Sequence, residues 1–269
     1  MDRINTLLRI TVIMAHLKYY GEAILMASIS RAFRGDEQIW SIIKNFYIGN
    51  SRLSFAAFKG DLTRVKFLVN VGSDANMFRA ISLSPLFVSL KNGHLDVAKV
   101  LINSGANVNY VKPKCNTSCL MVASQNNNLD IAKLLISRGA DVNARISING
   151  TTSLMLASKF GHLELVRTLL DNGAEIEAAV SKFHEEGKTS LMFATVSCHL
   201  DIVRLLLERG SNPDVIINFA WSKDFGKCAL DFASSEVEFF VTQGVSGRKN
   251  ESRKKRAMEI HDLLKSKKI

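Results

Sequence analysis

The chain has 269 residues, 47% hydrophobic and 22% charged, with three prolines and no low-complexity tract, which excludes a largely disordered protein and leaves ample material for a core. No uninterrupted apolar run reaches the roughly 20 residues that a membrane-spanning helix requires. The net charge of +10 is uneven: residues 245–269 hold nine Lys/Arg against three Asp/Glu (+6) and residues 51–244 hold twenty against eighteen (+2), so the basicity is a tail property and argues against a nucleic-acid groove along the body.

In chain order, residues 1–48 read as three helices, at about 5–19, 22–33 and 37–47, with Leu25, Ile29, Phe33, Ile39, Trp40 and Ile43 able to form a small core. Arg9 interrupts the first apolar stretch and no small-residue cleavage site follows it, so a signal peptide is not expected. The plain expectation is that this helical segment covers the open end of whatever follows.

From residue 49 a pattern repeats. In one copy, Gly161-His162-Leu163-Glu164-Leu165-Val166-Arg167-Thr168-Leu169-Leu170 leads to Asp171-Asn172-Gly173-Ala174. Leu163 has counterparts at Leu62, Leu95, Leu129 and Leu200. The turn glycine recurs at Gly72, Gly105, Gly139, Gly173 and Gly210, in steps of 33, 34, 34 and 37 residues, a period that marks stacked repeats. Units open on Ser84-Pro85-Leu86, Thr152-Ser153-Leu154 and Thr189-Ser190-Leu191, where the hydroxyl suits a helix N-cap and Pro85 a first turn. A short first helix follows, such as 154–160, with a small inward residue at Ala56, Ala123, Ala157, Ala194 or Ala233.

The second helix carries Leu165, Val166, Leu169 and Leu170 at helical spacing and closes on Gly173, since glycine adopts a left-handed cap at little cost. Asp96, Asp130, Glu164 and Asp201 begin these second helices and complement the helix dipole. His94, His162 and His199 occupy the inter-helix turn, where structural hydrogen bonds are expected. Helices this short are marginal alone in water, so stability must come from stacking, at roughly 1.5–3 kcal/mol per buried Leu, Ile or Val.

These residues resemble the ankyrin repeat. Gly150-Thr151-Thr152-Ser153-Leu154-Met155-Leu156-Ala157 is similar to its opening, and Gly105-Ala106-Asn107-Val108-Asn109 and Gly139-Ala140-Asp141-Val142-Asn143 to its close. The resemblance covers about 49–235 in six copies, two of them imperfect. It implies paired antiparallel helices, projecting hairpin-like loops and a partner bound on the concave side. One departure is consistent: the family's histidine after the leucine is replaced by Ser54, Phe87, Met121, Met155, Met192 and Asp231, so apolar packing must largely substitute.

At the C-terminus, residues 252–269 read as the second helix of a last, modified repeat, with Ala257, Ile260, Leu263 and Leu264 on one face and Lys254, Lys255 and Lys265 on polar ones. An insert at 236–251 separates it from Leu230-Asp231-Phe232-Ala233. Arg253-Lys254-Lys255-Arg256 reads as a solvated capping face, or as a nuclear-import or anionic-surface patch. The expected organisation is an all-α ankyrin-repeat solenoid of stacked helix-turn-helix units at 49–244, a helical N-terminal segment at 1–48 and a basic capping helix at 245–269.

No phosphate loop, zinc-protease helix or nucleophile elbow is present, and repetition explains the acidic residues better than acid–base chemistry does. Cys115, Cys119, Cys198 and Cys228 lack a zinc-ligand pattern and read as reduced thiols of a cytoplasmic or nuclear protein. No enzyme activity, metal or cofactor is expected; the expected function is recognition of a protein partner.

Two loops are enlarged: 178–187, with Phe183 and His184, and 212–226, with Phe219, Trp221 and Phe225. Aromatic residues on projecting loops are anchor candidates, and Tyr110, Lys112 and Arg145 occupy comparable tips of shorter loops. Lys91, Gln125, Asn126, Lys159 and Phe160, near first-helix ends, are expected to flank the concave surface. The order Leu25, Ile29-Ser30-Arg31-Ala32-Phe33-Arg34, Asp36-Glu37-Gln38-Ile39-Trp40 also resembles the latter half of an F-box, without its opening Leu-Pro. That resemblance implies a second reading, a substrate receptor of a cullin-type ubiquitin ligase that binds the ligase adaptor through residues 1–48.

Overall fold

The computed structural model describes residues 51–76, 83–113, 116–181, 186–217, 224, 226–242 and 248–267. The three N-terminal helices, and the F-box-like order within them, lie outside these residues. The chain divides between Ala106 and Asn107 into two compact units.

The described part of the first unit holds two helix pairs, α1 (Ser51–Lys59) with α2 (Leu62–Asn70) and α3 (Pro85–Lys91) with α4 (Leu95–Asn103). First helix packs on first helix and second on second, α1 against α3 and α2 against α4. The second unit opens with a two-residue antiparallel hairpin, β1 (Val111–Lys112) and β2 (Thr117–Ser118). Four helix pairs follow: α5 (Cys119–Gln125) with α6 (Leu129–Ser137), α7 (Ser153–Phe160) with α8 (Leu163–Asp171), α9 (Ser190–Val196) with α10 (Leu200–Glu208), and α11 (Ala229–Thr242) with α12 (Arg248–Lys267). Here too α5, α7, α9 and α11 pack in sequence, as do α6, α8, α10 and α12. The fold is thus mostly helical, built of helix-turn-helix repeats, with a minimal sheet.

The core of each pair comes from the periodic apolar positions. In α8 these are Leu165, Val166 and Leu169; in α10 they are Ile202, Val203, Leu205 and Leu206, all buried. Ala56, Ala123, Ala157, Ala194 and Ala233 are buried between neighbouring first helices, where a larger side chain would push the helices apart. Second helices end alike: the Ala140 N–H donates to the Leu135 carbonyl at 3.0 Å and that of Ala174 to Leu169 at 3.0 Å, across a glycine of positive φ.

Capping is less uniform than the opening motifs suggest. The Ser118 and Thr152 hydroxyl oxygens accept from the backbone N–H of Met121 and Met155, but Ser84 and Thr189 make no such bond. Pro85 sits in the first turn of α3 as expected and has no N–H to cap. Where the family has its histidine, Phe87, Met121, Met155 and Met192 are buried. Three polar contacts are made there: the Ser54 hydroxyl donates to the Leu83 carbonyl at 3.4 Å, Met121 Sδ accepts from the Ser118 N–H at 3.3 Å, and Asp231 Oδ2 from the Cys228 N–H at 2.7 Å.

The last pair differs from the sequence expectation. Residues 236–242 do not form an insert; they extend α11 to 14 residues, and α12 begins at Arg248. Phe240, buried, supplies the apolar contact that lengthens α11. Ala257, Ile260 and Leu264 of α12 are buried, and Leu263 only half so. Arg253 separates from its basic neighbours: its guanidinium donates to Glu236 Oε2 at 3.2 Å and lies 5.5 Å from the Phe240 ring centroid.

Gly161 illustrates how tightly the turns stack. Its φ is +83°, and a Cβ added there would lie 2.5 Å from His199 Cε1. Asn127 takes the same place in its own repeat at φ +57°. Gly161→Ala is therefore expected to lower stability by about 1–2 kcal/mol, and Gly161→Asn by less, since asparagine tolerates the left-handed region. Urea midpoints of the two variants check this; equal losses would contradict it.

Candidate protein-binding surface

The edge from which the loops spring is tied by asparagines. Asn109 Nδ2 donates to the Gly139 carbonyl at 2.9 Å while its Oδ1 accepts from the Asp141 N–H at 2.8 Å. Asn143 repeats this with Gly173 and Glu175. One unit on, Glu177 Oε1 accepts from the Ser211 hydroxyl and the Asn212 N–H. Each tie spans about one period of sequence, so the loop bases are fixed in register by stacking. The first unit has a counterpart, Asn76 Nδ2 donating to the Gly105 carbonyl.

The opposite edge is held by the turn histidines. His94 Nε2–H donates to the Phe58 carbonyl, His162 to Gln125 and His199 to Lys159, at 3.1–3.2 Å. Burial, the largest cause, holds the His199 pKa below the ordinary 6.5; the charges of Arg256, His162 and Arg253 act the same way, and the bond to Lys159 opposes them. Below that ordinary value the unfolded chain binds more protons than the fold, so this histidine makes stability fall as pH falls. In His199→Asn, the residue that Asn128 already places in this turn, stability is expected to drop by about 1 kcal/mol at neutral pH. The further loss of stability between about pH 7.5 and 5.5 should shrink, read from thermal melts across that range.

Above the asparagine ties, backbone hydrogen bonds close the bases of the loops in the second unit. In 144–151 the Ile146 N–H donates to the Thr151 carbonyl, and the next loop is joined to it by Ser181 N–H to the Asn149 carbonyl at 2.8 Å. The first enlarged loop is closed by Val180 N–H to Lys188 O at 3.1 Å, and the second by Ile217 N–H to Lys227 O at 3.0 Å. The second loop is pinned by charge as well. Asp224 Oδ1 accepts from Lys227 Nζ at 3.0 Å and Oδ2 lies 3.3 Å from Lys188 Nζ, with side-chain exposures of only 7% for Asp224 and 10% for Lys188. Burial alone would raise the Asp224 pKa; the Lys227 hydrogen bond and the Lys188 charge outweigh it and hold the carboxyl below 3.8. Both ammonium groups also face the Phe232 ring, at 5.1 and 5.7 Å from its centroid.

The expected contact residues separate on this frame. Arg145 is exposed on its loop and pairs with Glu175 of the next repeat. Lys112 is half-buried in β1. Tyr110 does not project: it is 9% exposed, turned inward where its N–H donates to the Asn107 carbonyl, and its own carbonyl receives the Cys119 thiol. Phe183, His184, Trp221 and Phe225 lie outside the described residues. At the first-helix ends Lys91, Gln125, Asn126 and Phe160 are exposed, and Lys159 reaches over the Phe193 ring at 5.3 Å.

Three exposed apolar loop residues were not anticipated: Val111, Ile148 and Ile216. An isoleucine between Ser147 and Asn149 in a polar turn was the available signal. Phe160, at the end of α7, is exposed as well.

Among the described residues no group of three His, Cys, Asp or Glu side chains could hold a metal, and no helix is long and apolar enough to cross a membrane. Cys119, Cys198 and Cys228 are buried thiols, and burial pushes Cys119 up to about 12. No curated protein matches the chain. The family model for ankyrin repeats (3 copies) matches residues 53–146 and 143–217.

Proposed function

Because the chain belongs to the ankyrin-repeat family, a family of protein–protein interaction domains, we propose that it acts as a non-catalytic scaffold that binds one partner protein through loop tips and first-helix ends. The observation that carries this reading is the fixed register of the loops. Their bases are tied from repeat to repeat by Asn109, Asn143 and Glu177, so exposed Ile148, Phe160 and Ile216 are presented with little ordering cost on binding. A broad surface of separate apolar contacts fits a protein better than a small molecule, which needs an enclosing cavity.

The test is affinity purification with the full chain, comparing wild type with Ile148→Ser/Phe160→Ala and with Trp221→Ala/Phe225→Ala. At least one retained protein should fall about tenfold or more in one of the double variants, since hot-spot truncations cost about 2 kcal/mol or more. Partners held equally by all three would show that the surface lies elsewhere.

A second reading rests on the F-box-like order between Leu25 and Trp40: the repeats would recruit a substrate while residues 1–48 recruit the adaptor of a cullin-type ubiquitin ligase. It requires co-elution of the full chain with purified adaptor at micromolar concentration, lost in Ile39→Ala/Trp40→Ala. The near-neutral charge balance of the repeats favours a protein partner over nucleic acid.

A further inference from the structure

The last helix pair breaks the outline of the second unit on the side of the inter-helix turns. Ala233 of α11 takes the place of Ala194 of α9, yet α9 ends at Val196 while α11 runs on to Thr242. The excess, residues 236–242, overhangs the preceding turns by about 10 Å at 1.5 Å per residue. The overhang makes a step. Its wall carries Glu236 and Arg253, and its floor is formed by the turns at 160–162 and 197–199. Arg253 Nη2 joins wall to floor by donating to the Val196 carbonyl at 3.5 Å. The two turns lie against each other, since His199 bonds to the Lys159 carbonyl at 3.2 Å.

Charge at this step is one-sided. The charges that reach His199 are those of Arg256, His162 and Arg253, and Lys159 adds a further cation on the floor. Glu236 stands among them already engaged, 3.2 Å from Arg253 Nη2 and 3.9 Å from the Cys198 thiol. Glu164 lies 3.7 Å from Arg167, and Glu259 lies 4.0 Å from Lys255. Arg256 is exposed; its Nε donates to the Ser252 carbonyl at 3.3 Å, and among the described residues its Nη groups meet no acceptor. Beside these cations Phe160 is 45% exposed and stacks on His162, with ring centroids 6.2 Å apart.

We propose that this step seats an acidic, partly apolar segment of the partner protein, with its carboxylates on Arg256 and Lys159 and an apolar side chain on Phe160. The proposal rests on the protein-binding reading and narrows it to a class of partner. Charge complementarity selects the acid, and the Phe160 ring selects apolar contact next to it. Shape selects a polypeptide. An inside corner admits a single chain, whereas a flat bilayer resting on the overhang would be held about 10 Å off the floor. The basic run at 253–256 does not act as one patch. Lys255 lies about 200° around α12 from Arg253, and its side chain, 80% exposed, extends beside Glu259.

The experiment selects random short peptides displayed on phage against the immobilised full chain, then measures the retained sequences as labelled synthetic peptides by fluorescence anisotropy. Asp and Glu should be over-represented among them, next to at least one apolar residue. Arg256→Glu should weaken their binding about five-fold or more, and Phe160→Ala about ten-fold. Lys255→Glu makes the same change of charge on another side of α12 and should weaken it less than about two-fold. Thermal melts of both charge variants should match wild type, since both side chains are exposed; if Arg256→Glu unfolds, Arg256→Gln makes the same comparison with the charge removed. Equal losses in the Lys255 and Arg256 variants overturn the proposal, because they would show the diffuse attraction that a membrane or nucleic acid reads. Retained peptides without an acidic excess, or no retained peptide, overturn it too. Either of those results leaves the protein-binding reading standing if the affinity purification still separates its variants.

Discussion

Asp224→Ala should destabilise the second unit by about 3 kcal/mol, the cost expected when one partner of a buried ion pair is removed. The carboxylate is 7% exposed between Lys188 and Lys227, and Lys188, itself 10% exposed, would be left without its counter-charge beneath the loop. The Phe232 ring cannot replace the carboxylate, since a cation–π contact contributes only about 0.5–2 kcal/mol and is already made. Asp224→Asn keeps an acceptor for Lys227 and should cost about half as much. The pH dependence has a definite sign. The fold holds this carboxyl below its ordinary 3.8, so its contribution is present above that value and is lost as pH falls through the folded pKa. Wild-type and Asp224→Ala unfolding curves should therefore converge in acid. A constant difference down to about pH 2 would mean that the loss is one of packing rather than charge. If residues 212–226 contact the partner, Asp224→Ala should weaken binding as well, because the carboxylate fastens the end of that loop.

Leu206→Ala is the other large effect, about 3 kcal/mol, because the side chain is fully buried in α10 between α8 and α12 and the cavity cannot collapse without moving a helix. A stack bound through nearest neighbours should express this loss locally. Hydrogen exchange should rise most in α9 to α12 and least in α5 and α6. A uniform rise throughout the second unit would instead show that its repeats unfold as one cooperative body. Arg253 adds a check on the same boundary. Its bonds to Glu236 and the Val196 carbonyl join α12 to its neighbours, so in Arg253→Ala α12 should be the first helix to lose protection.

Much of this molecule was legible from local pattern. A helix pair is set by apolar residues three and four apart, a turn glycine and an acidic first turn, and all three lie within about a dozen residues of one another. For that reason Leu165, Val166 and Leu169 of α8, the turn at His162 and the close at Gly173 sit where the sequence puts them. The contact residues were less legible. Tyr110 and Arg145 hold similar places in the sequence, yet one ring is turned inward and the other side chain is exposed and paired to Glu175. Ser84 and Thr152 open equivalent repeats, yet only Thr152 caps its helix. Arg253 begins a run of four basic residues, and only the packing of α12 on α11 sets it, still exposed, against Glu236 and Phe240.

By itself, then, the sequence determined the repeat, its period, its two helices and the family, because each follows from contacts within a single unit. The tertiary structure decided which hydroxyls cap, which loop side chains project and which charges meet. The pairs between repeats join residues thirty or more positions apart, such as Arg145 with Glu175 or Lys188 with Asp224, and their geometry exists only once one repeat has settled against the next.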